Sequence, residues 1–569
     1  RQRSNLQQSR TYIEAAIKII ESLRTNVASQ ELRTSFFASK QDYYEFYIDL
    51  LMELDQQNPT KGYNAEALHV SERAKARSLL DLLTEANADI NQGINSQLVE
   101  QEGSLQQQLD AIEQRRVQVL SGNYTEEQKA NLDRRRQAIL REYQNLRTQI
   151  RATSPKYAAL TQPQPLTLKQ IQQQVLDEDT LLLQYSLGEE RSYLWAVTNN
   201  SINSYQLPPR KEIETAAQQF VELLNNPRYR LGERGTIVVE QVRDVNPKEV
   251  APQLSQMLLG EVAPQLGNKR LLIVSDGALQ YIPFAALPTP ATADRDNPIP
   301  LISDREIVNL PSSSTLAILR QEFSRRQPPP KQVAILADPV FSQEDARVES
   351  TVPQPKPPED LEQNYLSRAA RQLDIGVWQR LPGTRQEAEA IMALVPESQR
   401  TQVFDFQANL TAATSPQLSQ YRIVHFATHG LLNSEHPELS GIVLSLVDEQ
   451  GNPTNGFLRL HDVFNLNLPA ELVVLSACET GLGKEVKGEG LVGLTRGFMY
   501  AGALRVLVSL WNVNDAATAE MMSRFYRLML QEGLSATAAL RAAQLEMQQE
   551  SQWQAPYYWA GFTLQGEWR

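Results

Sequence analysis

The stretch "AELVVLSACETGLGK", residues 470–484, decides how the chain is expected to fold. It begins with a run of strand-forming residues that ends at Cys478, and the following "ETGLGK" is too rich in glycine and charge to continue a strand. Open α/β sheets build their sites where parallel strands give way to loops. Cys478 is the only cysteine among 569 residues. Its position favours a functional thiol over a small buried hydrophobe, the role that a lone cysteine often has.

Strand and helix patterns alternate on both sides of this stretch. Apolar runs such as "RLLIVSDG", "KQVAILADP" and "YRIVHFATHG" alternate with helical patterns such as "TRQEAEAIMALV" and "GLVGLTRGFMYAG". This alternation predicts an α/β region with a mostly parallel central sheet flanked by helices. Three shorter runs within residues 180–208 predict a small meander at its start.

The first ninety residues predict helices, because apolar residues recur at three- and four-residue spacing. Ala67, Ser71 and Ala74 have the spacing of packing residues in the second helix of a tetratricopeptide repeat. About two degenerate repeats are therefore predicted over residues 1–92, with an ordinary helical bundle as the alternative. Either structure would offer a surface for binding another protein.

Residues 93–155 predict a helical hairpin that acts as a spacer. Apolar residues lie close to heptad spacing in both halves, which is typical of a coiled coil. Prolines in "SPKYAALTQPQP" then predict a boundary. Residues 156–569 follow as the α/β region, with an N-terminal half at 156–380 and a second half at 381–569. The chain is thus predicted to be multidomain, with all-α elements first.

Composition restricts the function and the setting. Lys and Arg total 55 against 67 Asp and Glu, and a net charge of −12 argues against a protein that binds nucleic acid directly through a basic surface. No apolar run reaches the roughly 18 residues that span a bilayer, so no membrane partner is expected. One cysteine suits the reducing cytosol. Because the sequence begins with Arg1 rather than Met, a longer natural chain or a processed N-terminus is expected.

His429, in "YRIVHFATHG", is the natural partner of Cys478. It also lies at the C-terminal end of a predicted strand, and 478 − 429 = 49 residues allow one crossover between neighbouring strands. A thiolate is the nucleophile in acyl transfer, and an imidazole can take the thiol proton and later protonate a leaving amine. The pair therefore predicts a cysteine nucleophile with a histidine base.

The paired motifs "HFATHG" and "LSACETG", with "LPGTRQEAEAI", "SLWNVNDAAT" and "YYWAGFTLQG", resemble the CHAT family of caspase-like (clan CD) cysteine peptidases. The resemblance covers roughly residues 160–569, and such domains are often joined to tetratricopeptide repeats. It implies a caspase-like fold and a dyad of Cys478 and His429 without an acidic third member. It also implies that the backbone N–H groups of Gly430 and Cys478 stabilise the oxyanion.

The resemblance extends to substrate binding. Separases, which are related peptidases, carry a similar Trp-x-Val-x-Asp segment and use acidic residues there to receive arginine. By this likeness Asp515 pairs with an Arg or Lys side chain before the scissile bond, Trp511 walls the pocket, and Glu479 belongs to the same set. Two alternatives stay open: Asp515 is a simple helix N-cap, or the preferred side chain is apolar.

The other histidines predict neither a metal site nor a cofactor. On a strand, His425 and His429 would lie about 13 Å apart, too far to share a zinc ion, so His425 is expected in the core. His436 and His461 are expected at the surface and His69 in the helical array. "GLGKEVKGEG" is not a phosphate loop, because Glu485 stands where Ser or Thr is needed.

The sequence therefore predicts a regulated cysteine endopeptidase, bacterial and cytoplasmic, that cleaves a protein partner, with Arg or Lys before the cleaved bond as one preference. A regulatory protein is expected to bind the helical repeats, with the switch sought in loops after Cys478 and around residues 340–380. The competing hypothesis is a catalytically silent scaffold in which the helical repeats do all the work. An acyltransferase or another thiol enzyme is a third alternative.

Overall fold

The structure is a computed structural model that describes most of the chain. The described residues are 2–25, 36–75, 79–80, 83, 101, 104–105, 108, 112, 115, 125–153, 164–225, 230–231, 237–238, 247–290, 299–349, 378–431, 440–476, 484–486 and 490–569. In these ranges, no helix combines the length and the apolar character needed to cross a membrane.

Eleven longer helices are present among the described residues. In chain order they are α1 (Gln2–Thr25), α2 (Gln41–Gln57), α3 (Tyr63–Ala74), α4 (Glu126–Thr153), α5 (Arg210–Asn225), α6 (Pro247–Leu259), α7 (Ser313–Ser324), α8 (Pro382–Ala393), α9 (Leu494–Tyr500), α10 (Asp515–Leu530) and α11 (Ala536–Gln549). Shorter helical segments are Leu168–Gln170, Ala263–Leu266, Leu410–Ala413, Leu460–Phe464 and Pro556–Trp559.

Eighteen strands are described. They are β1 (Thr180–Ser186), β2 (Ser192–Val197), β3 (Ile202–Leu207), β4 (Arg230–Leu231), β5 (Ile237–Val238), β6 (Arg270–Val274), β7 (Ile307–Asn309), β8 (Lys331–Ala337), β9 (Arg400–Phe404), β10 (Tyr421–Ala427), β11 (His429–Leu431), β12 (Gly441–Val443), β13 (Phe457–Arg459), β14 (Leu472–Ser476), β15 (Lys484–Val486), β16 (Gly490–Val492), β17 (Arg505–Ser509) and β18 (Phe562–Gly566).

The central sheet has eleven strands in the order β3-β2-β1-β6-β7-β18-β17-β14-β10-β8-β9. Its neighbours are parallel except for the β1–β2, β2–β3 and β17–β18 pairs. The mostly parallel sheet and the initial meander are therefore confirmed. β10 and β14 are direct parallel neighbours, an arrangement that the 49-residue spacing of His429 and Cys478 allows.

Helices cover both faces of this sheet, because successive residues of each buried strand point to opposite sides. Val333 and Ile335 of β8 pack in one core with α8, α10 and α11. Ala334 and Leu336 pack on the other face, in a core that includes residues of α7 and α9. The strands read as nearly continuous apolar runs for this reason.

The predicted N-terminal helical array is confirmed, and its packing residues Ala67, Ser71 and Ala74 are all buried in α3. The array shares a hydrophobic core with the sheet, in which Ile17 and Leu51 belong to the same cluster as strand and C-terminal residues such as Trp195, Val197, Leu272 and Trp568. The helical region therefore packs directly on the sheet.

A buried carboxylate adds a polar connection between the two regions. Glu72 of α3 has no exposed surface and accepts the backbone N–H of Ser313 at 3.2 Å and of Ser314 at 2.9 Å. These are orphan donors of the first turn of α7. Glu72 thereby closes the N-terminus of a helix that belongs to the α/β region.

The second arm of the predicted hairpin is present as α4, whereas most of the first arm lies outside the described residues. The predicted strand through His429 is divided: β10 ends at Ala427, and β11 begins a separate sheet with β12 and β13. The helix predicted from Gly490 begins at Leu494, because Gly490–Val492 pairs with β15 as a strand. The domain boundaries at 92 and 155 stay predictions.

Candidate active site

His429 lies at the C-terminal edge of the central sheet, two residues beyond the end of β10. Its backbone pairs with Val443 of β12 in the small sheet. The imidazole is 8% exposed and lies between the rings of Phe341 and Trp378, at centroid distances of 4.9 Å and 5.1 Å. These two aromatic side chains therefore restrict the orientation of the imidazole ring.

One ring nitrogen of His429 has a defined partner. Nε2 lies 2.7 Å from the backbone carbonyl oxygen of Gln379, an acceptor that requires Nε2 to carry the hydrogen. Burial lowers the pKa of His429 below its ordinary value, and the Gln379 carbonyl opposes that shift. A neutral imidazole in this arrangement has its lone pair on Nδ1. This ring is therefore set up to accept a proton at Nδ1.

Strand register relates His429 to Cys478. Ala427 of β10 pairs with Ser476 of β14, an offset of 476 − 427 = 49 residues, and His429 and Cys478 are separated by the same 49. Gly430 belongs to β11 and directly follows His429 in the chain. Cys478 and Glu479 lie outside the described residues, so the dyad and the oxyanion role of Gly430 and Cys478 stay predictions.

Asp515 occupies the first turn of α10, but it is not the N-cap. Asn514 is the N-cap, and its side chain accepts the N–H of Ala517 at 3.0 Å. The N-cap interpretation of Asp515 was therefore wrong. Its carboxylate instead accepts the backbone N–H of Gly383 at 2.8 Å. A Cβ at Gly383 would come within 2.5 Å of Asp515 Oδ1, so only glycine permits this approach.

Asp515 is half-buried, and no Lys, Arg or His among the described residues forms an ion pair with it. Burial raises the pKa of this carboxyl, the Gly383 N–H opposes the shift, and nearby Asp338 adds to it. Trp511 is 2% exposed, packs in the core and donates its indole N–H to the Tyr557 carbonyl at 3.1 Å. Trp511 supports the segment that carries Asp515, and its role as a pocket wall stays a prediction.

Comparison with known proteins decides the family. The model of the CHAT domain matches residues 248–567, more than half of the chain. The chain belongs to the CHAT domain family. The predicted resemblance is thereby confirmed.

Two curated relatives of this CHAT protein are named for their repeats. Tetratricopeptide repeat protein 28 of Homo sapiens is 27% identical over 340 residues, covering 54% of this chain and 12% of the relative. Its counterpart in Mus musculus is 26% identical over 344 residues, with the same coverages of 54% and 12%. This chain therefore spans about an eighth of the length of these relatives.

Two solved structures are similar to this chain with lower sequence identity. The Saccharomyces cerevisiae separase in its complex with securin has a TM-score of 0.37 and 10% identity, covering 99% of this chain and 48% of that chain. RgpB of Porphyromonas gingivalis has a TM-score of 0.34 and 11% identity, covering 63% of this chain and 77% of that chain.

A buried polar network links α8 to β10, β14 and α10. Glu387 of α8 accepts the hydroxyl of Ser476 at 3.1 Å through Oε2, and its Oε1 lies 2.9 Å from Nε2 of His425. The other nitrogen of His425 lies 2.9 Å from the hydroxyl of Tyr526. All four residues are buried: Ser476 is 3% exposed, Glu387 is 1% exposed, and His425 and Tyr526 have no exposed surface. The core position predicted for His425 is confirmed, and the network joins α8 to the last residue of β14.

Sequence reasoning missed a cluster of arginines and aspartates beside the site. Asp338, the first residue after β8, is 1% exposed and pairs with Arg347, Arg380 and Arg385. Arg347 and Arg385 also pair with Asp405. Asp338 and Asp405 both have positive φ, 48° and 53°, a conformation that Asp tolerates better than most residues. An aspartate directly after a buried strand was the available signal.

Proposed function

We propose that this CHAT protein is a cysteine endopeptidase in which Cys478 is the nucleophile and His429 moves the proton. The observation that carries the proposal is the hydrogen bond from Nε2 of His429 to the Gln379 carbonyl, which leaves Nδ1 as the acceptor at the sheet edge where β14 leads toward Cys478. A base needs a lone pair, a fixed ring and a pKa not far above ambient pH. His429 has all three.

The reaction follows from these groups. Nδ1 of His429 takes the proton of the Cys478 thiol, and the thiolate sulfur bonds to the carbonyl carbon of the scissile peptide. The charge that develops on the carbonyl oxygen is stabilised by the N–H groups of Gly430 and Cys478. The imidazolium then gives its proton to the leaving amine as the C–N bond breaks. Water attacks the thioester by the same route, which releases the second product and restores the thiol.

The substrate we propose is a protein with Arg or Lys immediately before the cleaved bond. Asp515 supports this preference, because its half-buried carboxylate has no cationic partner among the described residues. Charged groups are costly to bury unless they are paired, so an incoming guanidinium or ammonium would satisfy it. Glu479 and Trp511 are proposed as further parts of this pocket. A regulatory protein that binds the N-terminal helices is proposed as the control of activity.

The test is a positional scan of fluorogenic peptides with wild type, Cys478→Ala and His429→Ala, in reducing agent. Cleavage by wild type alone, with preference for Arg or Lys, is the expected result. Cleavage by wild type alone after another residue would keep the peptidase and remove the basic pocket. Cleavage by none, even after addition of partners captured on the helical region, would favour the scaffold.

Asp515→Asn is expected to lower kcat/KM for an Arg peptide by about 10²-fold, because the substrate guanidinium would lose its negatively charged partner in a desolvated ion pair. kcat/KM for a peptide with Leu at the same position should change less than about threefold. Glu520→Gln is the matched control, since Glu520 lies on the same helix but pairs with Arg524 at the surface. Equal losses with both peptides would contradict the assignment of Asp515 to this pocket.

The raised pKa of Asp515 gives this preference a pH dependence. A carboxyl with a raised pKa takes up its proton at a higher pH than usual, so its attraction for a cation is lost earlier as pH falls. We expect KM for the Arg peptide to rise as pH falls through that pKa, while KM for the Leu peptide stays level. The ratio of the two KM values across pH measures the effect, and Asp515→Asn should flatten it.

A further inference from the structure

The motif "LPGTRQEAEAI", residues 381–391, follows directly after Gln379 and Arg380. The segment from Gln379 to Glu387 contacts each described part of the site. The Gln379 carbonyl accepts from His429, the Gly383 N–H donates to Asp515, and Glu387 accepts from Ser476. One short stretch of chain thus joins the proposed base, the proposed pocket and the strand that leads to Cys478.

A bidentate ion pair between Arg380 and Asp338 holds the start of this segment. Nε of Arg380 donates to Oδ1 of Asp338 at 2.9 Å, and its terminal nitrogen donates to Oδ2 at 2.7 Å. Paired N–H···O bonds of this kind fix both the distance and the orientation of a guanidinium. Arg380 is bonded in the chain to Gln379, so the ion pair restrains the peptide whose carbonyl meets His429.

The carboxylate that anchors Arg380 is buried and has other partners. Asp338 follows β8 directly and is fully enclosed, and it keeps Arg347 and Arg385 as further partners. Removing Arg380 would therefore leave Asp338 paired and the sheet edge intact. The effect of such a change should be confined to the start of the Gln379–Glu387 segment.

We propose that Arg380 is a positioning residue for the reaction: its ion pair with Asp338 holds the Gln379 carbonyl on Nε2 of His429 and so keeps the lone pair on Nδ1, the proposed proton acceptor. The inference rests on the proposed function, which it deepens. Phe341, Trp378 and Val443 give His429 apolar surroundings, and no charged side chain among the described residues forms an ion pair with it. The Gln379 carbonyl is accordingly the group that sets the tautomer.

The experiment compares Arg380→Gln with Arg422→Gln as its matched control. Arg422 also makes a bidentate ion pair, with Glu471. The two arginine side chains are similarly exposed, 48% for Arg422 and 42% for Arg380. kcat should fall about 10- to 100-fold in Arg380→Gln, with little change in KM, because a small displacement of a base is costly to the chemical step. Arg380→Lys should recover part of the loss.

A second readout does not need activity. The five histidines of the chain can be labelled with ¹³C at Cε1 and titrated by NMR, with His429→Ala to assign the signal. Loss of the carbonyl partner removes a contact that favours the charged imidazole. The pKa of His429 should therefore fall in Arg380→Gln and stay unchanged in Arg422→Gln.

The outcomes separate the two proposals. Wild-type protein without Cys478-dependent cleavage would overturn the proposed function, whatever the titration shows. An active wild type in which Arg380→Gln matches Arg422→Gln in kcat and in the His429 titration would overturn the positioning role alone. A fall in kcat without any change in the His429 titration would also overturn it, since the ion pair would then act elsewhere.

Discussion

Cys478→Ala and His429→Ala are each expected to lower kcat/KM for peptide cleavage by at least about 10⁴-fold. The first variant lacks the nucleophile. The second leaves the thiol without the base that takes its proton and without the acid that protonates the leaving amine. Because the two groups act as a unit, the double variant should be no worse than either single variant. Initial rates on the best peptide of the positional scan measure all three.

His69→Ala is the matched control for the histidine. His69 also places a ring nitrogen against a backbone carbonyl, with Nδ1 3.0 Å from the Leu166 oxygen, but it belongs to α3. This variant should keep wild-type kcat/KM within about threefold, as expected of a site remote from the chemistry. Cleavage that survives in Cys478→Ala would contradict the dyad. So would a His69→Ala protein as inactive as His429→Ala.

Glu387→Ala is expected to lower the free energy of unfolding by about 3–5 kcal/mol. The change removes the carboxylate that faces His425 and Ser476, and it leaves both without this partner in a region closed to water. It also opens a cavity between α8 and the sheet. Burial raises the pKa of Glu387, which reflects the cost of holding its charge there. Urea unfolding followed by far-UV circular dichroism measures the loss.

Two variants on the same helix complete this test. Glu389→Ala removes an exposed carboxylate of α8 and should change stability by no more than about 0.5 kcal/mol. Glu387→Gln keeps an acceptor for Ser476 and should fall between the two. Equal midpoints for Glu387→Ala and Glu389→Ala would show that the buried network contributes no net stability.

The features predicted correctly from sequence are those encoded by local patterns. Apolar runs indicated the strands β10 and β14, and the spacing of His429 and Cys478 was compatible with neighbouring strands, which the structure shows. Two strands of the central sheet were missed, β7 and β9, because one has three residues and the other is only half-buried, so neither shows a strong apolar run. The division between β10 and β11 was missed because their apolar pattern continues across Thr428.

The parts of the site that escaped prediction depend on contacts between distant residues. Gln379 and His429 are fifty positions apart, and the contact uses a backbone carbonyl, which any residue type supplies. Arg380 and Asp338 are forty-two apart. Glu387 did leave a signal, since it stands on the buried face of an amphipathic helix with Thr384 and Ile391. A carboxylate on such a face calls for a partner in the core.

The core shared by α1–α3 and the sheet has a mechanical consequence. Since Trp195 and Trp568 are covered by the same cluster that contains Ile17 and Leu51, the helical region and the sheet edge should melt together as one cooperative unit. A chain cut near residue 155 would expose that apolar face and lose the Glu72 contacts at the start of α7. Force applied to α1–α3 would therefore be transmitted to the sheet through this shared core.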